Sequence, residues 1–184
     1  VNLTGSGGIL DQLYNLGSLQ RVDDDGDRTW FPANGIATAQ AKYAAFTQEF
    51  GYIPDLNDSG FADDSFVSLF TVSGNGLNLN APTATLNSGN VRFLWALDPS
   101  GSPLWTSLPS QNSDGFDHMV TWEVLDKRNT WVIAWEDLPA QWSDKDYNDL
   151  VVEISVSPVP IPGAILLLGS GLVAMIGIRR RFQS

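Results

Sequence analysis

The chain has 184 residues, 43% of them hydrophobic, with no cysteine, one histidine and a formal net charge of −11. That length and apolar content suffice for one domain with a real core, while the missing cysteines exclude a disulfide scaffold and argue against soft-metal sites. Setting aside the arginines at 179–181 leaves seven basic against 21 acidic residues, which argues against nucleic-acid binding and suits a divalent-rich exterior.

Gly and Pro together make 27 residues and helix-forming stretches are few. The expected fold is therefore mainly β, a β-sandwich or jelly-roll-like domain with one or two short helices, followed by a C-terminal hydrophobic helix. The expected divisions are a β-domain over 1–156, a proline-rich linker over 157–162 and a tail over 163–184. The chain begins at Val1 rather than Met, which fits removal of a signal peptide, a trimmed start being the alternative.

Residues 1–8 are mostly small and polar and read as a loose arm or edge strand, a candidate for adding to a neighbour's sheet if chains assemble. Residues 9–19 carry leucines and an isoleucine near helical spacing and predict a short helix or turn-rich segment. Residues 21–30 place Asp23, Asp24, Asp25 and Asp27 around Gly26. This is a candidate calcium loop through Asp23, Asp25 and Asp27, or else an acidic turn neutralised by Arg21 and Arg28. Residues 36–50 are alanine-rich, lack Gly and Pro, and precede Gly51, so they predict a helix with a glycine cap. A polar loop over 54–64 includes Asn57 in an acceptor-like pattern for bacterial N-glycosylation. Strands are expected over 65–72, 91–97 and 121–125, with turns at 73–76, 98–101 and 126–129.

The richest stretch runs from Trp131 to Val156. An apolar run ends in Glu136 and Asp137, Pro139 breaks it, and a second apolar run begins at Leu150. This reads as strand, acidic loop, strand. Seven oxygen-bearing side chains fall within fourteen residues: Glu136, Asp137, Ser143, Asp144, Asp146, Asn148 and Asp149, opposed by Lys145 alone. Carboxylates held this close repel unless a cation joins them. Calcium takes six to eight oxygens at flexible geometry, whereas magnesium prefers to keep its waters. The loop is not an EF-hand: counted from Asp144, the positions that need Gly and Glu hold Asp149 and Ser155.

The motifs E-D-L-P and D-x-D-Y-N-D-L-V resemble the signature of a bacterial domain of unknown function, numbered four-one-one-four. The resemblance implies an exported protein that binds calcium. It also implies Glu136, Asp137, Asp144, Asp146, Asn148 and Asp149 as ligands. In that family an Asp-His pair often sits near the acidic loop. Here it is Asp117-His118, so Asp114 and Asp117 are candidates to complete the calcium shell, and His118 either orients a carboxylate or packs.

The uncharged stretch 161–178, closed by Arg179, Arg180 and Arg181, has the minimum length of a membrane span with a basic anchor. Together with Val159-Pro160-Ile161-Pro162-Gly163-Ala164, it resembles a bacterial C-terminal sorting signal of the Pro-Glu-Pro type. Ile161 stands where the usual Glu would be. The resemblance implies membrane attachment before processing, then passage to the surface or extracellular matrix. An apolar helix outside a membrane must be buried among other chains, which favours a homo-oligomer or filament.

No G-x-S-x-G motif is present, and Glu136 and Asp137, adjacent on a strand, are expected to point to opposite faces rather than form a glycosidase pair. The expectation is a calcium-binding structural protein of surface fibres or matrix, without enzymatic activity. The alternative is a membrane-anchored, calcium-dependent module that binds polysaccharide.

Overall fold

The computed structural model describes residues 1–31, 34–56, 60–61, 64–79, 82–89 and 91–157. Among these residues a short helix α1 (Ile9–Leu13) is followed by eleven strands: β1 (Leu19–Arg21), β2 (Asn34–Lys42), β3 (Gln48–Pro54), β4 (Val67–Val72), β5 (Gly76–Leu77), β6 (Thr83–Asn87), β7 (Phe93–Pro99), β8 (Trp105–Thr106), β9 (Met119–Val124), β10 (Thr130–Trp135) and β11 (Leu150–Ser157). One sheet runs β1-β9-β10-β11-β2, with β5 and β6 both pairing β2; the second runs β4-β3-β7-β8. Every pairing is antiparallel. The mainly β, sandwich-like expectation thus describes the chain up to Ser157. The glycosylation candidate Asn57 and the expected C-terminal hydrophobic helix lie outside the described residues. Among the described residues no helix is long and apolar enough to cross a membrane.

The core lies between the sheets. Ala37 and Ala39, Phe50, Trp95, Trp105, Ile133, Trp135 and Val152 face one another there. Phe50 stacks on Trp95 with ring centroids 5.2 Å apart. A second apolar layer covers the outer face of the larger sheet, where Leu3, Ile9, Leu10 and Tyr14 pack on Ala41, Val132, Ala134 and Val151. The first residues are therefore no loose arm: Leu3 is buried against its own sheet.

The predicted helix over 36–50 is overturned. That segment forms most of β2 and the start of β3. Ala37, Ala39 and Ala41 are all fully buried, and β2 is sealed on both sides by β11 and β6. Alanine's helix propensity is worth tenths of a kilocalorie per residue. Two ladders of backbone hydrogen bonds and a buried small-residue face outweigh it. The glycine expected to cap the helix serves another purpose. A Cβ on Gly51 would stand 2.1 Å from the Val67 carbonyl oxygen and 2.7 Å from the Phe66 ring, so only glycine lets β4 approach here.

A bulge in β2 matters for the site. Val152 and Val151 pair with Ala39 and Ala41, leaving Gln40 as the extra residue. Before the bulge, Ala37 and Ala39 face the core between the sheets; after it, Ala41 faces the outer layer. The switch turns Lys42 inward, where it is buried and its Nζ donates to the Ala44 carbonyl at 2.7 Å.

Candidate metal centre

The β10–β11 connection carries the acidic loop at one end of the sandwich. Its first two residues are clamped through their backbone. The Glu136 N–H donates to the His118 carbonyl at 2.9 Å. The His118 Nδ1–H donates to the Glu136 carbonyl at 2.8 Å. Trp105 Nε1 donates to the Asp137 carbonyl at 2.9 Å, and the Asp137 N–H donates to Asp149 Oδ2 at 2.8 Å. His118 is itself fully buried and stacked on Trp105, with centroids 3.8 Å apart and planes 11° apart. His118 therefore packs, and its Nε2 lies 3.3 Å from both oxygens of the Asp114 carboxylate.

Two close groups of acids result. Glu136, Asp137 and Asp149 form one; Glu136, Asp144 and Asp146 form the other; within each, ligand oxygens lie within 4.8 Å of one another. Calcium–oxygen bonds of 2.3–2.6 Å allow ligand oxygens on one ion to be up to about 5 Å apart, so either group fits around a single ion. Glu136 belongs to both. Adjacent Glu136 and Asp137 share a group because β10 has already ended at Trp135. The alternation that would have separated them does not apply.

Glu136 and Asp137 are buried, at 0% and 2% exposure. Glu136 Oε1 accepts from the Leu138 N–H at 3.3 Å, and Oε2 has no hydrogen-bond partner among the described residues. Asp137 accepts from Gln48 Nε2. Burial pushes the carboxyls of Glu136, Asp137 and Asp146 upward, and neighbouring carboxylates add to it. Burial likewise pushes Asp149 up to about 8, and Asp137 and Glu136 add to it. Desolvation lowers the Lys42 ammonium, opposed by Asp137 and Asp149 close by.

Asn148 is buried, and its amide donates to Asp146 and to the Val1 carbonyl, which ties the N-terminal segment to the loop. Lys145 and Tyr147 both adopt positive φ, +59° and +51°. A non-glycine residue in that region costs about 1–2 kcal/mol. Trp142, just before Ser143, is 70% exposed.

The remaining candidates sit around this centre rather than in the two close groups. Asp114 Oδ2 accepts from the Ala140 N–H at 2.9 Å and its Oδ1 from Phe116 N–H at 2.9 Å, so it braces the far side of the loop. Asp117 accepts from the Met119 N–H and, through its carbonyl, from the Tyr147 hydroxyl. In the earlier loop Asp24 pairs with Arg21 and Asp25 with Arg28, at 2.5 and 2.7 Å. Asp23 is exposed. Asp27 is 1% exposed, neither of its carboxylate oxygens is hydrogen-bonded, and Arg21 Nη1 stands 3.7 Å away; burial lifts its pKa to about 7. Sequence reasoning missed Lys42 and Gln48, which approach the acids from β2 and β3. Nothing in a single sequence links residues some ninety positions apart.

A family model described as domain of unknown function (DUF4114) matches residues 55–157, more than half of the chain. The chain belongs to that family. The DUF4114 match starts after β3, although β2 and β3 pair with β11 and β7 inside the match, so the folded unit is larger than the matched segment. Among solved structures, the Ralstonia solanacearum high-affinity mannose-binding lectin is similar at 21% identity and a TM-score of 0.43, covering 72% of this chain and 96% of that one. No curated protein matches the chain.

Proposed function

We propose that the chain is a non-enzymatic, calcium-binding β-sandwich module, exported to a bacterial surface or extracellular matrix. The observation that carries the reading is Glu136. It is fully buried, one of its oxygens has no hydrogen-bond partner, and it is shared by two groups of acids. A buried carboxylate with no cation beside it and one oxygen unsatisfied costs free energy, and its bond to the Leu138 N–H offsets only part of that. A hard divalent cation removes that cost and the repulsion among its neighbours together. The all-oxygen donor set, with no cysteine in the chain, suits calcium over zinc. The test is thermal melting in calcium, in magnesium and in chelator. Calcium should raise the midpoint over chelator, and magnesium should do so less. Equal midpoints in all three would remove the metal from the account.

The assembly part of the reading, surface fibres or matrix with the tail used for anchoring, rests on the tail's sequence. Electron microscopy of secreted material tests it: fibres that fray on chelation support a calcium-braced polymer, and dispersed particles with and without chelator oppose it. A second reading is a calcium-dependent polysaccharide-binding module. It is favoured by a cavity of about 440 Å³ that opens against Asp146 of the acidic loop.

A further inference from the structure

We propose that this cavity is a subsite for an acidic sugar, a hexose ring bearing a carboxylate as in a uronic acid. The proposal rests on the calcium reading and adds the ligand class. The cavity's walls include Asn2 and Thr4 from the N-terminal segment, Arg21 from β1, Trp122 from β9, and Lys145 and Asp146 from the acidic loop. Asp146 also belongs to one of the two close acid groups. A ligand in the cavity therefore sits next to any ion held there.

Lys145 decides the ligand's charge. It stands between Asp144 and Asp146, yet among the described residues it forms no ion pair with either. Its left-handed backbone, φ +59°, places it on the cavity wall, and its ammonium lies 5.4 Å from the Phe116 ring centroid. Among the described residues, most other basic side chains are committed. Arg28, Arg92 and Lys127 are paired with acids, and Lys42 is buried on backbone and amide oxygens. Lys145 thus lines the cavity with no ion pair to either acidic neighbour among the described residues, and its flexible side chain can reach an incoming anion.

The opposite wall supplies a guanidinium, already ion-paired with Asp24, and a flat face. Arg21 donates to the Val22 and Thr121 carbonyls and to Asp24, which uses three of its five N–H donors. Its guanidinium lies 5.2 Å from the Trp122 ring centroid and steadies that half-buried indole. An indole face suits the C–H face of a sugar ring. Asn2 and Thr4 offer an amide and a hydroxyl for ring hydroxyls. The carboxylate is assigned to Lys145 and the free donors of Arg21, and a ring hydroxyl to the ion beside Asp146. The chain's net charge of −11 does not forbid this. At physiological salt the screening length is about 8 Å, so the groups lining the cavity outweigh distant acids.

The test is calorimetric titration of the full chain with trigalacturonate, too short to gel with calcium, and with mannotriose as the neutral control. Both run at fixed free calcium, and calcium binding is titrated separately. Trigalacturonate is expected to bind at least tenfold more tightly than mannotriose. The Lys145→Gln variant should weaken trigalacturonate roughly tenfold, the usual scale for losing a charge-assisted contact, and leave calcium affinity within about threefold. Trp122→Ala should weaken both sugars. Calcium binding without uronate binding overturns the subsite and spares the metal centre. Equal binding of the two sugars, or indifference to Lys145→Gln, overturns the acidic ligand. Failure of the calcium titration overturns the metal reading, and this proposal falls with it.

Discussion

Glu136 ends up buried because its own backbone is held on both sides by His118, and His118 is held by Trp105. Replacing Glu136 with Gln keeps the shape and removes the charge. Calcium affinity should fall tenfold or more, while the chelated protein at pH 8 should be as stable as the parent or more so, because a buried unpaired charge is gone. Calcium titration and chemical denaturation in chelator check the two halves. His118→Ala acts one step further out. It leaves the Glu136 carbonyl without its donor and opens a gap against Trp105. Losing a group that orients a ligand typically costs ten- to a hundredfold in metal affinity. Here the melting point should fall even in chelator, which separates this variant from Glu136→Gln. Gly51→Ala belongs to the same scale: with 2.1 Å to the Val67 oxygen, β4 must move, and a loss of about 1–3 kcal/mol is expected by denaturant unfolding.

The β10–β11 hairpin with its acidic loop was legible in the sequence. Two apolar runs flanked a polar stretch with Pro139 at its start, and strand pairing of Trp135 with Leu150 places the loop where expected. The six loop candidates lie on that connection, and five of them, all but Asn148, make up the two close acid groups. The 36–50 segment was not legible, because alanine satisfies a helical pattern and a small-residue strand face equally well. What decided it was the pairing with β11 and β6, which is a long-range fact. The bulge at Gln40, and with it the inward turn of Lys42, was invisible for the same reason. This element carries a pH prediction. Asp149 titrates near 8 against an ordinary value of 3.8, raised first by burial, and Glu136, Asp137 and Asp146 are raised as well. A carboxyl raised on folding adds stability below its unfolded pKa and loses it as pH climbs through the folded one. The chelated protein should therefore lose stability between about pH 4 and pH 8. Calcium replaces the protons, so the gap between calcium and chelator melts should widen over that range. Asp27, raised to about 7, adds to the loss in chelator, and its share should not be recovered by calcium bound at the acidic loop.

At the scale of the molecule, the larger sheet is covered on its outer face by the chain's first fourteen residues, and Asn148 reaches the Val1 carbonyl from the loop. An ion in the loop therefore steadies two hairpin strands and the N-terminal segment at once. A ligand present at a hundred times its dissociation constant stabilises by about 2.7 kcal/mol. For a domain of this size that is about 5–10 °C in the melting midpoint. Proteolysis should follow the same linkage, with cleavage in the first residues faster in chelator than in calcium. The most direct measurement is calcium titration by calorimetry at pH 7.5 on the parent and on Glu136→Gln, side by side. The account predicts saturable binding by the parent and at least a tenfold loss in the variant. No heat from the parent at millimolar calcium, or equal affinity in both proteins, would contradict it.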